Sequence, residues 1–174
     1  MKRQVRHGVF ETNSSSCHSI CISTVDEELS IPDSISFGFD DFGWEFDVLN
    51  SKREKANYLY TCLTYLGWDE IKKYIEFIWT TLKTAGVEDI DFDDMQISIS
   101  PWNDEMNYWI HPSNGYVDHG IEACNFVRDV CSDEKLLLNY LFSNKSYILT
   151  GNDNDERDVE IDVDYPHEEY YKGN

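Results

Sequence analysis

An α+β fold with a mainly antiparallel sheet and about four helices is what this sequence predicts, on three observations. Several short runs alternate apolar with polar residues, the period of a half-buried strand. Two longer runs repeat apolar residues at helical spacing and carry stop or start signals at their ends. The order of the runs, β-β-β-α-α-β-β-α-α-β-β, suits strands and helices packed in layers on one core.

Val5 to Phe10 and Ser19 to Thr24 read as two strands around a Ser-rich connection, with Ile20 and Ile22 alternating against Cys21 and Ser23. "SISFGF" (34–39) alternates in the same way. Asn50 or Ser51 starts the first helix, because Ser51 and Glu54 stand at capping-box spacing, where hydroxyl and carboxylate each satisfy the other's end of the first turn. Leu59, Cys62, Leu63 and Leu66 follow on one face, and Gly67 is the expected stop. A second helix is expected from about Asp69 to Ala85. Its apolar face is Ile71, Tyr74, Ile75, Ile78, Trp79 and Leu82, and Gly86 stands just past its end.

"MQISIS" (95–100) and "MNYWIH" (106–111) are strand-like and flank a turn composition, so they predict a hairpin. Residues 120–131 and 133–143 predict two short helices, with the break and a fresh N-cap in Ser132-Asp-Glu-Lys. "SYILTG" (146–151) reads as a buried strand. "VEIDVDY" (159–165) reads as a strand with Val159, Ile161 and Val163 on one face and carboxylates on the other. Neither a repeat nor a linker interrupts the 174 residues, so one acidic domain spanning 1–174 is expected.

Charge is the outlying property. There are 34 Asp and Glu against 14 Lys and Arg, a net of −20, in a composition whose 41% hydrophobic and 14% aromatic residues rule out a disordered chain. The acid is blocked: residues 25–50 hold eight acids and no base, 87–105 hold seven and no base, and 153–169 hold nine against one Arg. Such a chain repels free nucleic acid and anionic membranes and attracts cations or basic protein surfaces. The plainer reading of the same numbers is solubility alone. No apolar run approaches the roughly 20 residues of a membrane span. Five cysteines, with no C-x-x-C pair and no secretory leader, fit reduced thiols in the cytoplasm, expected to be that of a bacterial host cell.

Three groups of residues bear on chemistry. "VFETNSSSCHSI" (9–20) holds four serines, a thiol and an imidazole, the side chains of nucleophilic enzymes and also of turns and caps. The neighbours Cys17 and His18 fall on opposite faces of a strand, whereas Ser16 shares a face with His18. His111, Asp118, His119, Asp153 and Asp155 are possible metal ligands, but their spacing matches no metal motif and chance clusters are expected among 34 acids. Asp158, Glu160, Asp162 and Asp164 stand at alternate positions, about 6–7 Å apart along one strand face, close to the spacing of phosphates along a nucleic-acid strand. They join Asp40, Asp41, Glu45 and Asp47 of the first block and Asp91, Asp93 and Asp94 of the second as the expected partner-binding residues. No cofactor and no metal are expected.

"GVFETNSSSCHSI" also resembles the N-terminal signature of a family of small, mostly uncharacterised proteins of Firmicutes and their phages. In that family a Ser-rich stretch with the same "ETNSSS" and a following His-Ser precedes a strand. "YVDHGI" (116–121) and "GNDND" (151–155) echo it further along. The resemblance implies a phage or mobile-element protein and no particular chemistry; some small acidic phage proteins of this kind act as anti-CRISPR inhibitors. Together these readings predict a non-enzymatic inhibitor that binds a basic nucleic-acid-handling protein, a CRISPR effector nuclease being the most concrete target. The alternatives are a metal-dependent or nucleophilic enzyme built on the Ser/Cys/His loop and the Asp/His positions, and a phage accessory protein that is acidic only for solubility.

Overall fold

The computed structural model describes residues 18–24, 28–43, 45, 47–95, 97–101, 108–112, 115–118, 123–151 and 167–172, the backbone alone for 97–101, 108–112 and 167–172. The expected strands at 5–10 and 159–165 lie outside these residues.

The fold is α+β, with four helices, an antiparallel sheet and smaller strand pairs among the described residues. Strand β1 (Ser19–Ser23) is central to the main sheet. It pairs antiparallel with β9 (Tyr147–Leu149) on one side and β10 (His167–Lys172) on the other, and β4 (Val48–Leu49) adds to the far edge of β9. The expected hairpin is present as β6 (Ile97–Pro101) and β7 (Tyr108–Pro112), with Ile99 opposite Ile110. Two pairs are parallel: β2 (Ser34–Phe37) with β5 (Asp89–Phe92), and β3 (Asp41–Phe42) with β8 (Tyr116–Val117).

Helix α1 (Lys52–Leu63) begins at the expected capping box: the Glu54 backbone N–H donates to the Ser51 hydroxyl at 3.2 Å and the Ser51 N–H donates to the Glu54 carboxylate at 2.9 Å. Burial pushes the Glu54 carboxyl up, but the hydrogen bonds from Ser51 and Asn50 outweigh it and hold the group below its ordinary value. All residues from Lys55 to Leu63 are buried, so α1 is the axis of the core, packed on β2, β8 and the two later helices. Lys55 is 1% exposed, and its ammonium donates to the Ser143 and Ser146 carbonyls just past the end of helix α4 (Glu134–Phe142). A cation there complements the negative end of the helix dipole.

Helix α1 does not stop at Gly67. It ends in tight turns at Thr64, Tyr65 and Leu66, each N–H reaching three residues back, and Gly67 is the N-cap of α2 (Trp68–Thr84). Gly86 follows α2 at φ +103°, a left-handed conformation that favours glycine and closes a helix. Ile71, Tyr74, Ile78 and Leu82 of α2 are buried as expected, whereas Trp79 is 47% exposed and leaves the apolar face. Helix α3 (Cys124–Val130) is shorter than expected, and α4 takes its N-cap from Asp133, whose carboxylate accepts from the Leu136 N–H at 2.9 Å.

The buried apolar residues form one cluster in which Phe37 meets Tyr60 ring to ring and a second chain of rings runs Phe42, Tyr58, Phe126, Tyr140. Cys21, Cys62, Cys124 and Cys131 are free, and burial pushes the Cys131 thiol up to about 12. Among the described residues no helix is long and apolar enough to cross a membrane.

Candidate functional site

The parallel pairing of β2 with β5 decides where the acid goes. Ser34, Ile35, Ser36 and Phe37 stand opposite Asp89, Ile90, Asp91 and Phe92. Side chains alternate across a strand. Ile35 and Phe37 are buried and Ile90 and Phe92 half-buried, whereas Ser34, Ser36, Asp89 and Asp91 are exposed. The stacked rings of Phe37 and Phe92, 4.8 Å apart, anchor the pair to the core. The outward carboxylates of this pair, Asp89 and Asp91, both come from the 87–105 block, and the 25–50 block gives the face Ser34 and Ser36.

The ladder runs one step further, where the Asp93 N–H donates to the Phe37 carbonyl at 2.9 Å. The Asp93 carboxylate then lies over Gly38, 2.8 Å from where a Cβ would stand, and the Gly38 N–H is held by the Asn57 side chain. Beneath them Tyr60 donates its hydroxyl to the Asp93 carbonyl at 2.6 Å. Burial first, and then the carboxylates of Asp93, Asp94 and Asp91, push the Tyr60 hydroxyl up to about 12. Asp91, Asp93 and Asp94 are all exposed and belong to one cluster.

A second cluster sits on β3 and β8. Asp41 is opposite Tyr116, and the Asp118 N–H donates to the Phe42 carbonyl at 2.8 Å. Tyr116 is 46% exposed; burial, then Glu45, Asp41 and Asp118, raise its phenol. Gly115, at φ +113°, lets the chain pass against the backbone of Asp40, where an added Cβ would come within 2.7 Å of the Asp40 carbonyl oxygen. The Tyr65 hydroxyl bonds both the N–H and the carbonyl of Val117 and holds β8 in place. Asp47 lies at the entry to β4, where its N–H meets the Thr150 hydroxyl, which itself donates to the Glu45 carbonyl.

Asp40, Asp41, Glu45, Asp47, Asp91, Asp93 and Asp94 are thus all exposed, in two clusters joined by the six-residue run Phe37–Phe42. Asp158, Glu160, Asp162 and Asp164 lie outside the described residues. Asp89, a member of the same face, was not singled out in the sequence; its place comes only from the pairing with Ser34. A groove of about 370 Å³ borders the face, with Ser34, Ser36, Asp89 and Asp91 on one wall and Lys52 and Arg53 of α1 on the other. The Lys52 ammonium is held by the Ser30 carbonyl at 2.6 Å.

The other candidates are distributed differently. His18 is a core residue, 6% exposed. A carbonyl only accepts, so ring Nε2 carries a hydrogen and donates to the Gly43 carbonyl at 3.0 Å, and Nδ1 meets the Tyr58 hydroxyl at 3.0 Å. With both nitrogens engaged inside the core, this imidazole does not face a solvent-borne substrate. Ser14, Ser15, Ser16, Cys17, His119, Asp153 and Asp155 lie outside the described residues, and His111 lies on β7 opposite Ser98. Among the described residues no three His, Cys, Asp or Glu side chains converge as a metal site.

Compared with known proteins, the chain matches no family model, no curated protein and no solved structure.

Proposed function

We propose that this chain is a non-enzymatic inhibitor that binds a basic nucleic-acid-handling protein by offering carboxylates where that protein would hold phosphates. Within that reading the chain is encoded by a phage or mobile element and acts in the bacterial cytoplasm. A CRISPR effector nuclease is the most concrete target, because such proteins hold a heteroduplex in a positively charged channel. The observation that carries the proposal is the exposure of Asp40, Asp41, Glu45, Asp47, Asp91, Asp93 and Asp94, in two clusters drawn from two separate acidic blocks and joined by the run Phe37–Phe42. The resemblance of "GVFETNSSSCHSI" to a Firmicute and phage signature supports the phage assignment. A mimic of this kind gains the same electrostatic attraction as DNA and loses it with salt.

The test uses purified RNA-guided nucleases with guide bound. The chain is expected to compete with target DNA for one of them, to block cleavage, and to lose at least tenfold in affinity between ~0.1 and ~0.5 M NaCl. It should not bind duplex DNA itself. Tight binding of the isolated chain to DNA, or inhibition indifferent to salt, would overturn the reading.

A further inference from the structure

Helix α2 carries a surface that the acidic face does not use. Trp68 and Trp79 are 44% and 47% exposed and lie eleven residues apart, three helical turns, on one side of the helix. Each has a Lys four residues on with its ammonium over the ring, Lys72 at 5.0 Å from Trp68 and Lys83 at 5.7 Å from Trp79. "WDEIK" and "WTTLK" are therefore two copies of one Trp–Lys couple. Half-buried Ile75 lies midway between them. Three acids, Asp69, Glu70 and Glu76, balance Lys72, Lys73 and Lys83, so the helix is neutral in a chain of net charge −20.

We infer that this stripe is a self-association surface, on which two copies of the chain pack their α2 helices antiparallel about a twofold axis near Ile75 and Glu76. The pattern is self-complementary, as an isologous interface requires. Reversing the helix about that point sets Trp68 opposite Lys83 of the second copy and Lys72 opposite Trp79. Every exposed ring then meets a cation as well as apolar surface. Asp69 falls beside Lys83 of the second copy, and Glu76 lies one turn from its Lys72. A second copy is the occupant that charge favours, since it matches both signs on the stripe at once. A purely acidic partner would face Asp69, Glu76 and the rest of a −20 chain, and a purely basic one would face the lysines.

One helix pair is small beside the roughly 1,200–2,000 Å² of a stable interface, so association belongs at high micromolar concentration. Two −20 bodies also repel, and salt relieves that repulsion. Self-association therefore strengthens with salt, the opposite sign to the binding of a basic partner, and the two proposals fail separately.

Sedimentation equilibrium of the full chain at ~0.5 mM is expected to show dimer growing between ~0.05 and ~0.5 M NaCl. Trp79→Glu should weaken the dimer at least tenfold without changing the melting curve, because the ring is half in solvent. Glu76→Cys, close to the axis, should form a homodisulfide on mild oxidation, with the parent chain as control for its own cysteines. Asp69→Cys, far from the axis, should not. A monomer at the higher salt, a dimer untouched by Trp79→Glu, or crosslinking through Asp69→Cys would each overturn the inference.

Discussion

At the scale of single residues, His18 shows how a chemically suggestive neighbourhood becomes a packing element. Its sequence neighbours are serines and a thiol, but its bonding partners are Tyr58, forty positions on, and the Gly43 carbonyl. Nothing local in "SSSCHSI" announces either. His18→Ala leaves those buried polar groups short of a partner and opens a cavity. A stability loss of about 2–4 kcal/mol is expected in denaturant melts, with partner affinity unchanged in the protein that remains folded. Tyr60 gives a pH signature. An unfolded tyrosine ionises near pH 10, whereas Tyr60 in the folded chain does so at about 12. The folded state holds the proton more tightly, so the contribution is complete below pH 10 and is lost as pH rises from there through about 12. Chemical melts across that interval should show falling stability, and Tyr60→Phe should flatten the fall while costing about 1 kcal/mol for the bond to the Asp93 carbonyl.

At the scale of elements, helices with chemical end signals were the most legible. Ser51 and Glu54 form the expected capping box, and Ser51→Ala should cost about 1 kcal/mol in a thermal or denaturant melt. Gly86 closes α2 as expected, while Gly67, which carries the same sequence signal, opens a helix instead, because the chain turns tightly before reaching it. Trp79 fits the helical period of the apolar face only at its margin, and periodicity alone cannot place a marginal residue inside or outside. In the sequence, strand β5 shows only its acid. "DIDF" has aspartates, poor strand formers, at its outward positions, and it becomes a strand by pairing with β2. β3, β4 and β8, two residues each, are too short to show any period. The candidate carboxylates were legible as residues, but not their division into two clusters. Asp89→Asn with Asp91→Asn and Asp94→Asn leaves the half-buried Ile90 and Phe92 side untouched. Stability should hold or rise as repulsion is relieved, while affinity for the nuclease falls more than tenfold and its salt slope flattens.

At the scale of the whole molecule, the net charge of −20 sets a self-repulsion that the core must outweigh. Raising NaCl from ~0.05 to ~0.5 M should raise the melting temperature by at least ~3 °C, an effect of about 1 kcal/mol for a chain of this size. The third acidic block provides the complementary test. Converting Asp158, Glu160, Asp162 and Asp164 to Asn or Gln should weaken binding to the proposed basic partner more than tenfold and leave stability equal or higher. Unchanged binding would confine the partner surface to the two clusters around Tyr60 and Tyr116.

Parallel strands require a crossover, and between β2 and β5 that crossover contains β3, β4 and the helices α1 and α2. Contacts so distant in sequence are slow to form, because the loop-closure entropy is spent before the pairing returns anything. For this chain the delay is compounded, since the blocks that contain the uncharged β2 and the acidic β5 are both negative. The face that carries Asp89 and Asp91 accordingly depends on β2 and exists in no peptide cut from residues 87–105 alone. It is a property of the collapsed chain, and a fragment ending before Asp89 would lack both its carboxylates and leave β2 without its parallel partner. Ionic strength should then have its clearest effect on the refolding arm of a chevron if β2 and β5 pair before the barrier, and on the unfolding arm if they pair after it.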